Sequence, residues 1–372
     1  MKKVVFIQRM VPDYRANFFY LLREALEYEG IDFSLVAGGT KTGEALVDAF
    51  PEEKWSFRCG NYYIFKNLYY QSVRRYISNA DLVIVHEGGA ALVNYELLLR
   101  RRLFGHPKVA FFGHGSNMNS LQRMPVKTWV KNIIARLPDW WFAYTNISSV
   151  ALDKLDYPEN KTSIVDNSID TKDFIERIDS LDEVVIQDVR DSLGISITDT
   201  VGLFCGRLSK IKLSFLIDAV KIISEIHSNY HLIIVGRGDL EDEIRELAKV
   251  TKWLHYVGPK FSDERLPYFK VADHFLMPGQ VGLGILDAFA SKLPFFTTDC
   301  GIHSPEIAYL INGKNGYITE NNVIDYSERI LKCLDNIHIM NDMSVEAFST
   351  SKRVSLEKMV SHFVSGIKKI LF

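Results

Sequence analysis

Short apolar runs rich in β-branched and aromatic residues recur along this chain, separated by longer stretches with helical spacing. In the first half they are Val4 to Ile7, Phe33 to Ala37, Leu82 to Val85 and Val109 to Phe112. The second half repeats the theme with Val201 to Phe204, Leu232 to Val235, Phe275 to Met277 and Phe295 to Thr297. Parallel strands need crossover connections of a dozen or more residues, usually helical, so this alternation predicts parallel sheets with helices on both faces. The class is α/β. At 372 residues, two domains fit better than one or three. The charged stretch Asp166 to Thr200 has no strong buried strand and precedes a fresh strand-helix series, which makes it the predicted joint.

Hydrophobic residues at 47% and charged residues at 24% exclude disordered and low-complexity chains. Lys and Arg number 44 against 46 Asp and Glu, a balance that speaks against a dedicated nucleic-acid binder. Residues 1–170 hold 21 basic and 18 acidic side chains, and the remainder 23 and 28, so the first half faces an anionic surface more comfortably. Cys59, Cys205, Cys300 and Cys333 are far apart and form no CxxC pair, which points to a reducing cytoplasm and away from structural zinc. Val4 to Ile7 is too short for a signal-peptide core, and no apolar run is long enough to span a bilayer as a helix. No repeat of solenoid length is visible. Leu356, Met359, Val360, Phe363, Val364, Ile367 and Ile370 keep helical spacing, a closing helix.

Familiar motifs mostly fail. Gly38 to Glu44, GGTKTGE, has the glycines of a P-loop, but Glu44 stands where the phosphate-binding lysine belongs. Gly236-Arg237-Gly238 follows a strand, yet Glu241 replaces the third glycine of a dinucleotide fingerprint, and the first βα turn, Gln8 to Arg15, has none. HExxH, GxSxG and EF-hand patterns are missing from the sequence.

Two stretches carry chemistry. In LFCGRLSKIKLSFLIDA a buried strand runs into Gly206-Arg207-Leu208 and Lys212 begins a helix, so two cations and free backbone N–H groups meet, as a diphosphate requires. The bland alternative is a pair of solvated surface charges. In MPGQVGLGILDAFA three glycines permit close approach by a ligand, and Asp287, about one turn into the next helix, suits either two ribose hydroxyls or simple helix-dipole stabilisation.

In order and spacing, GRL-x3-K, IIVGRGDLE, PGQVGLGILDAFASKLPFFTTD and HSPEIAYLINGKNGYI resemble the retaining nucleotide-sugar glycosyltransferases of family GT4, with the GT-B fold. VPDYRANFF, FFGHGSN at 111–117 and DNSIDTKDF at 166–174 extend the resemblance toward the amino terminus. It implies two Rossmann-like domains facing across a cleft: 1–170 for the acceptor, 171–355 for the nucleotide sugar, and a closing helix, 356–372, returning to the first. Arg207 and Lys212 then match the pair that neutralises the departing diphosphate, and Asp287 matches the second carboxylate of the E-x7-E motif, one methylene shorter. The first glutamate of that motif falls at Gly279, a departure that leaves donor-sugar identity open. Gly206, Val257, Val281, Gly282 and Leu283 match the remaining donor side, and His114 matches the histidine facing the donor sugar.

Tyr14, Arg15 and Glu87 follow strands in the first half and are the acceptor-side candidates, with a donor phosphate or plain capping and packing as the alternatives for Arg15. Residues 123–137, RMPVKTWVKNIIARL, set Val126, Trp129, Val130, Ile133, Ile134 and Leu137 at helical spacing among Arg123, Lys127, Lys131 and Arg136. With Arg100 to Arg102, and with Tyr62 to Tyr76 including Lys66, Arg74 and Arg75, they suit an anionic membrane or a lipid-linked acceptor; a core helix with a solvated face is the alternative. The resemblance implies retaining transfer to a saccharide in bacterial surface-polysaccharide assembly, and the Arg207 and Lys212 cations, with no metal-ligand cluster evident in the sequence, predict that it is metal-independent. A nucleotide-sugar epimerase and a non-catalytic binding subunit are the competing expectations.

Overall fold

A computed structural model of the chain describes residues 1–41, 47–64, 67–115 and 125–372, with the backbone alone for 125–128. Glu44, Lys66, Ser116, Asn117 and Arg123, and the side chains of Val126 and Lys127, lie outside the described residues. The chain divides into two compact units, Met1–Asp170 with Ser355–Phe372, and Thr171–Val354.

The first unit is built on β1 (Lys2–Gln8), β2 (Ile31–Ala37), β3 (Ser56–Arg58), β6 (Leu82–His86), β7 (Lys108–Gly113), β8 (Trp140–Ala143) and β9 (Thr162–Ile164), with β4 (Asn61–Tyr63) and β5 (Tyr69–Gln71) as a separate antiparallel hairpin. The sheet order is β3-β2-β1-β6-β7-β8-β9, parallel throughout. Val4, Val5 and Phe6 are all fully buried, as a strand covered on both faces must be. The helix Leu356–Leu371 belongs to this unit and seals its core, with Phe363 stacked on Phe142 at 4.5 Å between ring centroids. Gly366 is required at that crossing, since a Cβ there would stand 2.5 Å from the Phe142 ring.

The second unit holds β10 (Thr200–Cys205), β11 (Tyr230–Val235), β12 (Leu254–Gly258), β13 (His274–Leu276), β14 (Phe295–Thr298) and β15 (Gly316–Thr319), in the order β12-β11-β10-β13-β14-β15. Counted within the unit this is the doubly wound order 3-2-1-4-5-6, in which the chain reverses direction of travel between β10 and β13. At such a switch point the connections from neighbouring strands leave to opposite faces, opening a crevice at the strands' carboxyl ends.

All eight predicted strands are present. The predicted joint is more structured than expected: helices Thr171–Asp179 and Glu183–Leu193 belong to the second unit and bury Phe174, Ile178 and Ile186. Asp182 caps the second of these through the Val184 N–H, and Gly194 ends it in the left-handed conformation. Among the described residues no helix is long and apolar enough to cross a membrane.

Candidate functional site

A cavity of about 490 Å³ occupies the crevice between β10 and β13 of the second unit, with Arg207 and Lys212 in its lining beside Gly206, Gln280 and Gly282. β10 delivers the Gly206-Arg207-Leu208 turn, which lies directly on the turn after β11. Gly206 N–H donates to the Val235 carbonyl and Leu208 N–H to the Arg237 carbonyl, both at 3.0 Å. A Cβ at Gly236 would fall 1.9 Å from the Gly206 oxygen, and one at Gly238 2.4 Å from the Leu208 oxygen. The glycines that resembled part of a dinucleotide fingerprint are therefore explained by the close packing of two turns.

Arg207 is well exposed and 3.6 Å from the equally exposed Asp239. Such a pair contributes about 0–1 kcal/mol, which leaves the guanidinium free to exchange partners with an anion. Lys212 follows two residues into the helix Lys210–Ile226, whose Leu213, Leu216, Val220 and Ile223 face the sheet. Its ammonium donates to the Gln280 carbonyl and lies 3.4 Å from Met277 Sδ. Burial holds Lys212 below the ordinary lysine value, offset in part by Cys300.

The facing loop is pinned from both sides. Gly279 has φ of +80°; its N–H donates to Thr298 Oγ1 and its carbonyl accepts from Thr297 Oγ1, each at 3.0 Å. Val281, fully buried, directs its N–H at His303 Nδ1 at 3.4 Å, and its carbonyl accepts from the Ser304 N–H at 3.1 Å. Gly282 and Leu283 lead into the helix Gly284–Ala290. Val257 lies on the edge strand β12.

Asp287 does not stand open. It is 7% exposed and gripped by Arg265, with Nη1 to Oδ2 at 2.6 Å and Nη2 to Oδ1 at 3.1 Å. Arg265 ends the short turn Ser262–Arg265 and packs over Phe174 and Phe269, 5.2 and 5.6 Å from their ring centroids. It was missed in the sequence because an arginine 22 residues away, on a different element, carries no spacing signal.

The first unit has a cavity of about 170 Å³ beyond β6 and β7, bordered by His86, Glu87, Asn94, Tyr95, His114 and Lys131. His114 and Glu87, each just past a strand end, thus border the same cavity. The Gly-His-Gly loop owes its glycines to crowding: a Cβ at Gly113 would meet Glu87 Cβ at 2.5 Å, and one at Gly115, where φ is +83°, the Ser148 oxygen at 2.4 Å. Gly115 N–H donates to Glu87 Oε2 at 3.1 Å. Burial raises the Glu87 carboxyl, while the backbone N–H groups of Gly115 and His114 oppose that rise. His86, exposed at the carboxyl end of β6, bonds Tyr144 Oη at 2.7 Å. The His114 ring meets Tyr144 edge to face at 4.8 Å.

Tyr14 is 43% exposed at the start of the helix Asp13–Tyr28. Arg15 is turned inward, contrary to its acceptor-side assignment: it is 5% exposed and donates to the Ser168 carbonyl at 3.0 Å and to Asn167 Oδ1 at 2.8 Å. The residues after β9 and the closing helix, through Met359 Sδ at 3.3 Å, enclose it. Of the membrane candidates, Trp129, Val130, Ile133 and Leu137 are exposed, as are Leu99, Leu103 and Phe104 on the helix Leu92–Phe104.

Two doubly wound parallel sheets and a carboxyl-terminal helix that returns to the first define the GT-B fold. Residues 199–336 match the family model described as Glycosyl transferases group 1. Over 163 residues the chain is 29% identical to an uncharacterized glycosyltransferase of Methanocaldococcus jannaschii, a match covering 42% of this chain and 41% of that protein. It therefore spans less than half of that relative's length. A glycosyltransferase from Rickettsia africae superimposes with a TM-score of 0.73 at 15% identity, covering 100% of this chain and 98% of its own. Anabaena HepE, solved with UDP, gives 0.68 at 14% identity over 99% of this chain and 100% of its own, and it has also been solved with UDP-glucose. At these identities the likeness is one of fold.

Proposed function

We propose that the protein is a retaining glycosyltransferase that moves a sugar from a nucleoside-diphosphate donor to a saccharide hydroxyl. The observation that carries this reading is the cavity at the switch point of the second sheet, where Arg207 and Lys212 border the same space. Breaking a sugar–phosphate bond places negative charge on the leaving diphosphate. Fixed cations that bind this charge more tightly than the ground state lower the barrier. They supply what a divalent ion supplies elsewhere, so transfer proceeds without one.

The second unit holds the donor, with Gly206, Gly279, Val281, Gly282 and Leu283 along the diphosphate, Asp287 at the ribose and Val257 farther out. His114 contacts the donor sugar, and Glu87 and Tyr14 serve the acceptor. The acceptor hydroxyl attacks the anomeric carbon on the face the phosphate leaves, and the departing phosphate oxygen takes its proton. The acceptor is lipid-linked and the reaction runs at the inner face of a bacterial membrane, a setting suited to the exposed apolar side chains of residues 99–104 and 129–137, which lie among arginines and lysines. Its product is a bacterial surface polysaccharide, as the family resemblance suggests.

Turnover measured with EDTA present tests the clamp. Lys212→Ala lowers transfer about 10²- to 10³-fold with an unchanged melting temperature. Wild-type product from that variant removes the assignment.

A further inference from the structure

Asp287 is an aspartate where the resemblance shows a glutamate, and the structure pairs it with a residue that no motif contains. Arg265 closes a fork on both carboxylate oxygens, at 2.6 and 3.1 Å. Its side chain is 27% exposed against 10% for Asp287, so the arginine is the member of the pair with more surface open to a ligand. Asp287 lies on the helix Gly284–Ala290, whose first residues Gly284 and Ile285 line the switch-point cavity together with Cys205. The pair therefore abuts the wall of that cavity.

A carboxylate pair of oxygens offers about four lone-pair positions, and the fork uses two. The others suit hydroxyl donors. An isolated carboxylate beside a diphosphate site repels the ligand, whereas a paired one adds little net charge. Stacking over Phe174 and Phe269 fixes the guanidinium, and the guanidinium in turn fixes a side chain that is one methylene short. We propose that Arg265 is a positioning residue for Asp287, and that the two together, not the carboxylate alone, read the ribose hydroxyls of the nucleotide. This rests on the donor site proposed above.

The test is calorimetric titration of the full chain with UDP, GDP and ADP, each beside its 2′,3′-dideoxy counterpart. Wild type binds one ribonucleotide at least about tenfold more tightly than its dideoxy form, the size of a hydrogen bond to a charged group. Arg265→Ala and Asp287→Asn each abolish that ratio, and the double variant loses no more of it than either single one. Arg265→Lys keeps the charge and stem but loses the fork, and gives an intermediate ratio; it decides the matter if Arg265→Ala does not fold. Loss of the ratio in Asp287→Asn alone reduces Arg265 to a strut and overturns the inference while the donor site stands. A ratio untouched by either substitution overturns ribose reading by the pair. Wild type that binds none of the three nucleotides takes the donor site down with it.

Discussion

Lys212 is held by two neutral acceptors in a partly buried setting, and burial lowers its proton affinity. The protonated form binds a diphosphate, and with the pKa lowered it is lost as pH rises, earlier than for an exposed lysine. Nucleotide affinity should accordingly fall on the alkaline side below the usual lysine range. Lys212→Arg, which stays charged, should show no such fall, and titration across pH 7 to 10 checks both. The location of Arg207, Lys212 and His114 near the carboxyl edges of their sheets was legible because the turn after a buried strand lies there wherever the fold is α/β. Arg15 and Arg265 were not, because the direction of a long side chain depends on partners remote in sequence. For Arg15 these are Ser168 and Met359, 153 and 344 residues away.

β11, β10 and β13 share a polar bridge across the switch point. Tyr230 Oη and His274 Nε2 are 2.7 Å apart over Gly202, where a Cβ would stand 2.3 Å from that hydroxyl. Complete burial lowers His274 to about 3. The unfolded chain takes up this proton near pH 6.5 and the folded one does not, so stability is full above that pH and declines as pH falls toward 3. The slope from this group approaches about 1.4 kcal/mol per pH unit. Urea midpoints measured from pH 7 to 4 should show it, and His274→Gln should flatten it. The strands missed in the sequence are short. β8 is the four residues Trp140–Ala143, fully buried, and β15 the four residues Gly316–Thr319. Segments of that length owe their extended form to pairing with neighbours rather than to any period of their own.

The first unit is not contiguous in sequence, since its core needs the last helix. Leu356, Met359, Val360, Phe363, Ile367 and Ile370 are buried there together with Phe6, Phe18, Phe112 and Phe142. At about 1.5–3 kcal/mol each, their loss is comparable to the whole stability of an ordinary domain. A chain ending at Val354 should therefore lose the cooperative melting of the first unit by calorimetry, and retention of the full melting profile would show that the helix is dispensable. The alternation of strands and helices made the two sheets legible, and the apolar spacing of the last residues made the helix legible; its partners came only with the fold. Nucleotide binding by the second unit is the claim on which the functional reading depends. A crystal grown with the tightest-binding nucleoside diphosphate, free of metal, should show the diphosphate between β10 and β13 with oxygens in hydrogen-bond range of Arg207 and Lys212. A diphosphate bound elsewhere, with both side chains left as they are without ligand, would contradict it.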